Sequence, residues 1–310
     1  MATRFEIVLH GEDPGALRSA GEEALEEIQR IEGQLSLYQP TSEIARINTR
    51  ATREPVRVTR SLFRLLQQAK ELHAETKGAF DITIAPLVRC WGFMDGKGRM
   101  PGPEKLAEAR ARVGMHYLEL NPDNSTVRFS REGMMIDLGA IGKGYAVEQA
   151  ANLLKELGIS SALINGGTSS IHAFGQPPDM ENWQVALEYP PTPGGASRKV
   201  MAIIPLRNES LSVSAVWGKS FQVQDCSFGH VLDPRLGRPV QGALLAAVVL
   251  PSATETDALS TALLVAGEHG QEQITSARPA VRTALLLGPG SNQELKAIGR
   301  GIITQPFARA

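Results

Sequence analysis

Two cysteines in 310 residues are too few for a disulfide framework, and neither Cys90 nor Cys226 lies in a Cys-x-x-Cys pair or a Cys/His cluster with zinc-site spacing. They read as two structural thiols in a reducing compartment. Charge of one sign is also missing: 32 Lys+Arg against 33 Asp+Glu leave a net −1. No global field therefore argues for nucleic acid or an anionic membrane as the main partner, and anionic ligands must be held locally. Long apolar runs are absent as well. The longest, Ala243 to Leu250, has the length of a strand and stops at Pro251, far short of a transmembrane segment. No export signal is expected, because Met1-Ala-Thr-Arg-Phe-Glu-Ile-Val enters an alternating strand pattern at once, with Glu6, Glu12 and Asp13 where a signal peptide needs apolar residues. A cytoplasmic address is the corresponding expectation. Repeats, low-complexity tracts and polar linkers are lacking too, so one composite domain over residues 1–310 is expected.

What is present suits a globular protein, since 42% hydrophobic residues can supply a sizeable core. A strand near Arg4 to His10 precedes a helical pattern in which Leu17, Ala20, Ala24, Ile28, Ile31 and Leu35 recur every three or four residues. Ser42 signals a helix start before Ile44 and Ile47, and Leu62, Leu65, Leu66, Ala69 and Leu72 mark another amphipathic helix. Met94 to Pro103 reads as a surface loop. Further on, short strands at Leu118 to Leu120, Val127 to Phe129 and Met134 to Ile136 lead through a glycine-rich turn to a helix over Ala146 to Leu157 and a strand at Ala162 to Ile164. After a Pro/Gly-rich loop at Pro190 to Gly195, β-rich segments continue until a helix near Glu255. The order implies an α+β fold with mixed sheets and packed helices.

Three segments could carry chemistry. Asp257 and Thr261, four apart at a helix start, share a face and could offer a carboxylate and a hydroxyl to a hard cation. Taken alone, the pair is more simply a capped first turn. Ile136 to Tyr145 runs from a predicted strand through Asp137-Leu138-Gly139-Ala140-Ile141-Gly142-Lys143-Gly144 into a helix, which exposes backbone amides to phosphate with Lys143 adding charge; a tight strand-to-helix connection would look the same. It is not a Walker A loop, which needs glycine where Asp137 sits and Ser or Thr at Gly144. His230 stands before Asp233-Pro234-x-x-Gly237, a turn signal, and could be a base or a structural histidine. Phe80-Asp81-Ile82-Thr83, Trp91-Gly92-Phe93 and Asn165-Gly166-Gly167-Thr168 could line a pocket or be loop geometry.

Read together and in order, these segments resemble the ApbE family of FAD:protein FMN transferases. The likeness spans nearly the whole chain: a Met-x-Thr start (Met1, Thr3), Leu-Ser-x-Tyr-x-Pro-x-Ser-Glu-Ile (Leu35 to Ile44), Phe80 to Phe93, Ile136 to Tyr145, Asn165 to Gly167, His230 to Pro239 and Asp257 to Thr261. The resemblance implies Mg²⁺ held by the side chains of Asp257 and Thr261 and the carbonyl of Ala140. It places FAD contacts at Met1, Tyr38, Ala79, Phe80, Asp81, Asp137, Lys143 and Val231, and a catalytic base at His230.

The implied reaction is magnesium-dependent transfer of the FMN half of FAD to a Ser or Thr hydroxyl of an acceptor flavoprotein, with release of AMP. FAD is then a substrate, and the partners are FAD and a protein bearing a flavinylation motif, with no nucleic acid and no transmembrane segment. Two alternatives share the residues: an FAD pyrophosphatase giving FMN and AMP, and a non-catalytic flavin-binding protein. The sequence departs from the family pattern before the histidine, where Thr-Ser-Gly-x-Tyr is replaced within Ser212 to Gly218, and at Glu148, where an aspartate is common. A Ser/Thr-Gly-Ala-Ser/Thr acceptor motif is not evident in the chain, which disfavours self-modification.

Overall fold

In a computed structural model describing residues 3–190, 199–218, 220–223, 226–288 and 295–305, the alternating stretch after Arg4 forms β1 (Phe5–His10). The apolar spacing that follows forms α1 (Pro14–Leu35), whose start is capped by Asp13 Oδ1 accepting from the amides of Gly15 and Ala16 at 2.8 and 3.1 Å. Ser42 caps α2 (Glu43–Arg50) by accepting from Ala45 N, and Thr59 caps α3 (Arg60–Glu75), which follows the short β2 (Val56–Arg57). The chain continues through α4 (Ala85–Cys90), α5 (Pro103–Arg110), β3 (Leu118–Asn121), β4 (Thr126–Phe129) and α6 (Gly142–Glu156). Next come β5 (Ser161–Gly166), β6 (Ser170–Phe174), β7 (Trp183–Glu188), β8 (Val200–Leu206), β9 (Glu209–Ala215), β10 (Ser220–Val223) and β11 (Cys226–Gly229). The remaining elements are β12 (Leu232–Asp233), β13 (Arg238–Pro239), β14 (Ala243–Leu250), α7 (Ala253–Ala277), β15 (Arg282–Leu287) and β16 (Lys296–Arg300). This is an α+β architecture, as the sequence order implied.

The contacts divide the chain into two compact units, each assembled from separated stretches. The first gathers Arg30–Gly142 and Val216–Val240, and the second Ala2–Gln29, Lys143–Ala215 and Gln241–Ala310. In the second unit an antiparallel sheet runs β1-β5-β6-β9-β14-β15-β16, while β7 and β8 form a separate hairpin. The apolar run Ala243 to Leu250 is an interior strand of this sheet, β14, buried at almost every position, with α7 packed across β14, β9 and β15. Its continuous hydrophobicity thus reflects burial of both strand faces. Helix α7 is buried nearly all round over its first three turns and breaks at Gly267, where φ +61° and ψ −144° suit a residue without a Cβ.

In the first unit, α2 to α5 accompany a three-stranded sheet, β2-β4-β3, and two small hairpins, β10/β11 and β12/β13. One apolar cluster joins Leu87, Trp91, Ala109 and Leu232. Trp91 donates from Nε1 to the Gly237 carbonyl at 2.9 Å, fixing the turn after β12. The expected strand at Met134 to Ile136 does not form. Met134 and Ile136 are buried, which gives the alternating pattern, but the backbone of Ile136 pairs with a side chain: Asn48 Nδ2 donates to its carbonyl and Asn48 Oδ1 accepts its amide, at 2.9 and 2.8 Å. The amide of Asp137 donates to Ile82 O at 2.7 Å. These partners satisfy the segment without a neighbouring strand.

Met94 to Pro103 is a loop up to the start of α5, as read. Of the Pro190 to Gly195 loop, residues 191–195 lie outside the described residues, as do Met1 and the side chain of Cys226; Cys90 is a free thiol. No described helix is long and apolar enough to cross a membrane.

The second unit holds an acid-sensitive group. His172 on β6 is 4% exposed, its Nδ1 lies 2.7 Å from Ser210 Oγ, and its Nε2 has no hydrogen-bond partner among the described residues. Ser210 Oγ donates to Pro251 O at 3.1 Å, so it accepts from Nδ1–H, leaving Nε2 as the bare nitrogen of a neutral ring. Burial, with Lys155 nearby, pushes the imidazole from 6.5 down to about 4. A depressed folded-state value means the stability is fully present above 6.5 and is lost as pH falls toward 4, because the unfolded chain takes up the proton first. The loss should reach about 3 kcal/mol, and His172→Gln should flatten the curve over that interval. Urea unfolding followed against pH checks this; equal slopes in parent and variant would contradict it.

Candidate active site

Each unit holds one group of the residues singled out above. In the second, Asp257 lies in the first turns of α7 and is 3% exposed. Its Oδ2 accepts the amide of Gly144 at 2.9 Å, its Oδ1 accepts Ser170 Oγ at 3.3 Å, and Lys143 Nζ stands 3.5 Å from Oδ1. One turn on, Thr261 Oγ1 donates to Asp257 O at 3.4 Å and lies 3.1 Å from Ser214 Oγ on β9, which also meets Ser260 Oγ at 2.9 Å. The helix start is fixed from α6, where Glu148 Oε2 accepts Ser252 Oγ at 2.7 Å and the Thr254 amide at 2.8 Å. Glu148 therefore places a carboxylate at the positive end of the α7 dipole.

This arrangement fits a hard divalent cation. The nearby side-chain groups able to ligate a cation are all oxygen: a carboxylate and the hydroxyls of Thr261, Ser214 and Ser170. The carboxylate can accept about four hydrogen bonds but takes two and a lysine at 3.5 Å, leaving lone pairs in a buried setting where unmet charge is costly. The approach also explains Gly144, because a Cβ there would meet Ala253 O at 2.1 Å and Asp257 Cβ at 2.7 Å. Ser170 and Ser214 were not singled out in the sequence. Their signal is faint: a small polar residue opening β6 after the Asn165-Gly166-Gly167 turn, and one in the stretch that departs from the family pattern. Thr3 packs against Gly167, so the Met-x-Thr and Asn-Gly-Gly segments meet, although Met1 lies outside the described residues.

In the first unit, Tyr38 is 67% exposed and edges a cavity of about 370 Å³ with Leu37, Met94, Met135 and the Arg99–Asp95 ion pair. Burial of part of its ring, then the Asp137 carboxylate, raise the Tyr38 hydroxyl above its usual range, so Tyr38 and Asp137 stand within electrostatic reach. Asp137 Oδ1 accepts the Gly139 amide at 2.8 Å, shaping the turn that carries Ala140, which is half-buried.

Ala79 and Phe80 are each 1% exposed and lie within the core. Asp81 turns inward: its Oδ1 accepts Thr83 N and Thr83 Oγ1 at 2.7 and 2.6 Å, and His73 Nδ1 lies 3.4 Å from Oδ2. Its carboxyl is raised by burial against the lowering effect of Thr83 and His73. That side chain is therefore occupied in holding the turn. His230 is half-buried at the bend between β11 and β12, and Val231 follows with its carbonyl accepting the Val240 amide at 2.9 Å. Asp233, in the same motif, is taken up by Arg235 Nη2 at 2.8 Å and the Arg235 amide at 2.8 Å, which builds the turn. The structure thus joins Lys143, Asp257 and Thr261 in one cluster and Tyr38 with Asp137 in another.

The ApbE family profile matches residues 1–285. The chain is 33% identical to the FAD:protein FMN transferase of Haemophilus influenzae over 266 residues, 83% of this chain and 76% of that protein. It is 30% identical to the FAD:protein FMN transferase of Salmonella typhimurium over 77% of this chain and 69% of that one. Among solved structures it resembles the ApbE protein of Thermotoga maritima, with a TM-score of 0.85 and 26% identity over 95% of this chain and 93% of that one. The apo flavinyl transferase ApbE of Pseudomonas stutzeri gives 0.80 and 26%, covering 96% and 95%.

The close approach of α6 to α7 gives a direct expectation. Gly144→Ala should cost about 1–3 kcal/mol in urea unfolding, since its methyl group must displace the backbone of Ala253 or the Asp257 side chain. Unchanged stability would show that the two helices do not constrain each other at this point.

Proposed function

The chain belongs to the ApbE family, and on that premise, with the oxygen cluster around Asp257, we propose that it is an FAD:protein FMN transferase acting with Mg²⁺ on a Ser or Thr hydroxyl of an acceptor protein. What carries this reading is the buried carboxylate of Asp257 beside Lys143 and Ser170, with the Thr261 hydroxyl one turn on, an oxygen-rich, locally charged site in a chain of near-zero net charge. Asp257 and Thr261, with the Ala140 carbonyl that the family pattern adds, would hold the cation. When bound, the ion neutralises charge on the FAD diphosphate and on the departing AMP.

The chain's own residues do the rest in this reading. Lys143 contributes positive charge toward the diphosphate oxygens, and the amides of the Asp137 to Gly142 turn orient them. The cavity beside Tyr38, with Met94 and Met135, receives the apolar flavin ring, whose redox chemistry is not used. Ala79, Phe80, Asp81 and Val231 serve as walls and turn supports of the FAD site. His230 accepts the proton of the acceptor hydroxyl as that oxygen attacks the FMN-side phosphorus. The bond between this phosphorus and the bridging oxygen breaks, AMP leaves with the electron pair, and a phosphoester joins FMN to the acceptor.

Mass spectrometry of an acceptor fragment bearing a Ser/Thr flavinylation motif, incubated with FAD and Mg²⁺, tests the proposal. The acceptor should gain the mass of FMN less water, with one AMP released per transfer. Asp257→Ala should abolish transfer, and His230→Ala should lower turnover by about 10²-fold or more with FAD affinity nearly unchanged. Free FMN with an unmodified acceptor would assign the hydrolytic reaction, and no AMP under any condition would leave a flavin-binding protein without turnover. Unchanged turnover in His230→Ala would remove that residue from the mechanism.

A further inference from the structure

A second concave site lies in the first unit and shares no residue with the Asp257 cluster or the Tyr38 cavity. Its volume is about 310 Å³, and Arg57, Arg60 and Arg64 line it together. Arg57 comes from β2, while Arg60, Arg64 and Gln67 follow at helical spacing on one face of α3, so a single short connection brings three guanidinium groups to one hollow. The turn between β3 and β4 closes the other side with Asn124 and Ser125, and is held there by the Val58 amide donating to Ser125 O at 3.0 Å. We propose that this hollow is a binding site for a small phosphate-bearing ligand of mononucleotide size.

The charge pattern favours an anion. Among the described residues, Arg57, Arg60 and Arg64 make no ion pair, whereas Arg50, Arg112, Arg278 and Arg282 each meet a carboxylate at 2.5–2.7 Å. Asp123 is the one acidic residue in the lining, so three positive groups converge against a single negative one. Such convergence raises the potential inside a concavity and is relieved by an anion. The amino-terminal end of α3, capped by Thr59, adds the positive pole of a 16-residue helix.

Shape then narrows the ligand class. Guanidinium groups match phosphate oxygens in a two-point geometry, and the amides of Gln67 and Asn124 supply further donors. Val58, Phe63 and Pro122 give the hollow an apolar wall, which a bare inorganic ion would leave uncovered. The volume lies at the small end of ligand pockets, too small for a dinucleotide. A nucleoside monophosphate meets all three conditions.

Calorimetric titration of the full chain, with FAD at saturation to fill the flavin site, tests the proposal with AMP, inorganic phosphate and adenosine as probes. AMP should bind saturably at one site, weaken as salt rises, and bind more tightly than phosphate, with adenosine inert. Arg60→Gln/Arg64→Gln should weaken AMP at least about tenfold while its thermal unfolding and its flavin-site affinity stay those of the parent. Arg57→Gln, on a different element, should weaken it in the same direction. Equal AMP affinity in parent and variants, or no saturable heat, would overturn the proposal. A preference for phosphate over AMP, or for a polyglutamate peptide over both, would overturn the ligand class.

Discussion

A carboxylate buried at the head of a helix needs partners, and in this protein the local structure around α7 is arranged to supply them to Asp257. Removing such a group from water costs several kcal/mol unless hydrogen bonds and opposite charge compensate. Two elements answer that requirement: α6 brings the Gly144 amide and Lys143, and β6 brings Ser170, while α7 sets the Thr261 hydroxyl one turn further on. The burial of β14 beneath α7 holds the platform rigid, and Glu148 pins the first turn of the helix. What remains is a buried carboxylate with lone pairs to spare and hydroxyl oxygens nearby, the condition a hard cation relieves.

The two units use their acidic groups differently. Asp81 and Asp233 in the first unit are absorbed by turns, through Thr83 and Arg235 respectively, and the adjoining backbone gains its shape from them. Asp137 shapes the Gly139 turn while its charge is felt by the Tyr38 hydroxyl. Asp257 retains lone pairs that no turn consumes. This contrast favours Asp257 as the carboxylate proposed for cation binding, although several acidic residues sit in family motifs.

Much of this was legible in the sequence because one residue carried one physical role. Apolar spacing located α1 and α3, Ser42 marked the start of α2, and an uninterrupted run with Pro251 behind it delimited β14. The i, i+4 relation of Asp257 and Thr261 placed both groups on one helix face. Reading failed where the partner is distant: Met134 to Ile136 alternates like a strand, yet its backbone bonds go to Asn48, 88 residues away. Ser170 and Ser214 were invisible for the same reason, since a serine becomes informative only when strand pairing sets it against α7. The inward turn of the Asp81 side chain follows from its capping of the Ile82–Ile84 turn, a role that a family motif does not reveal.

In the proposed site the groups around Asp257 grip a divalent ion when the FAD diphosphate is present. Calorimetry of FAD binding, with Mg²⁺ and then with the ion removed by chelator, measures it most directly. FAD affinity should rise with Mg²⁺ in the parent chain, and Asp257→Asn should lose this dependence while still folding. FAD uptake indifferent to Mg²⁺ in the parent would contradict it.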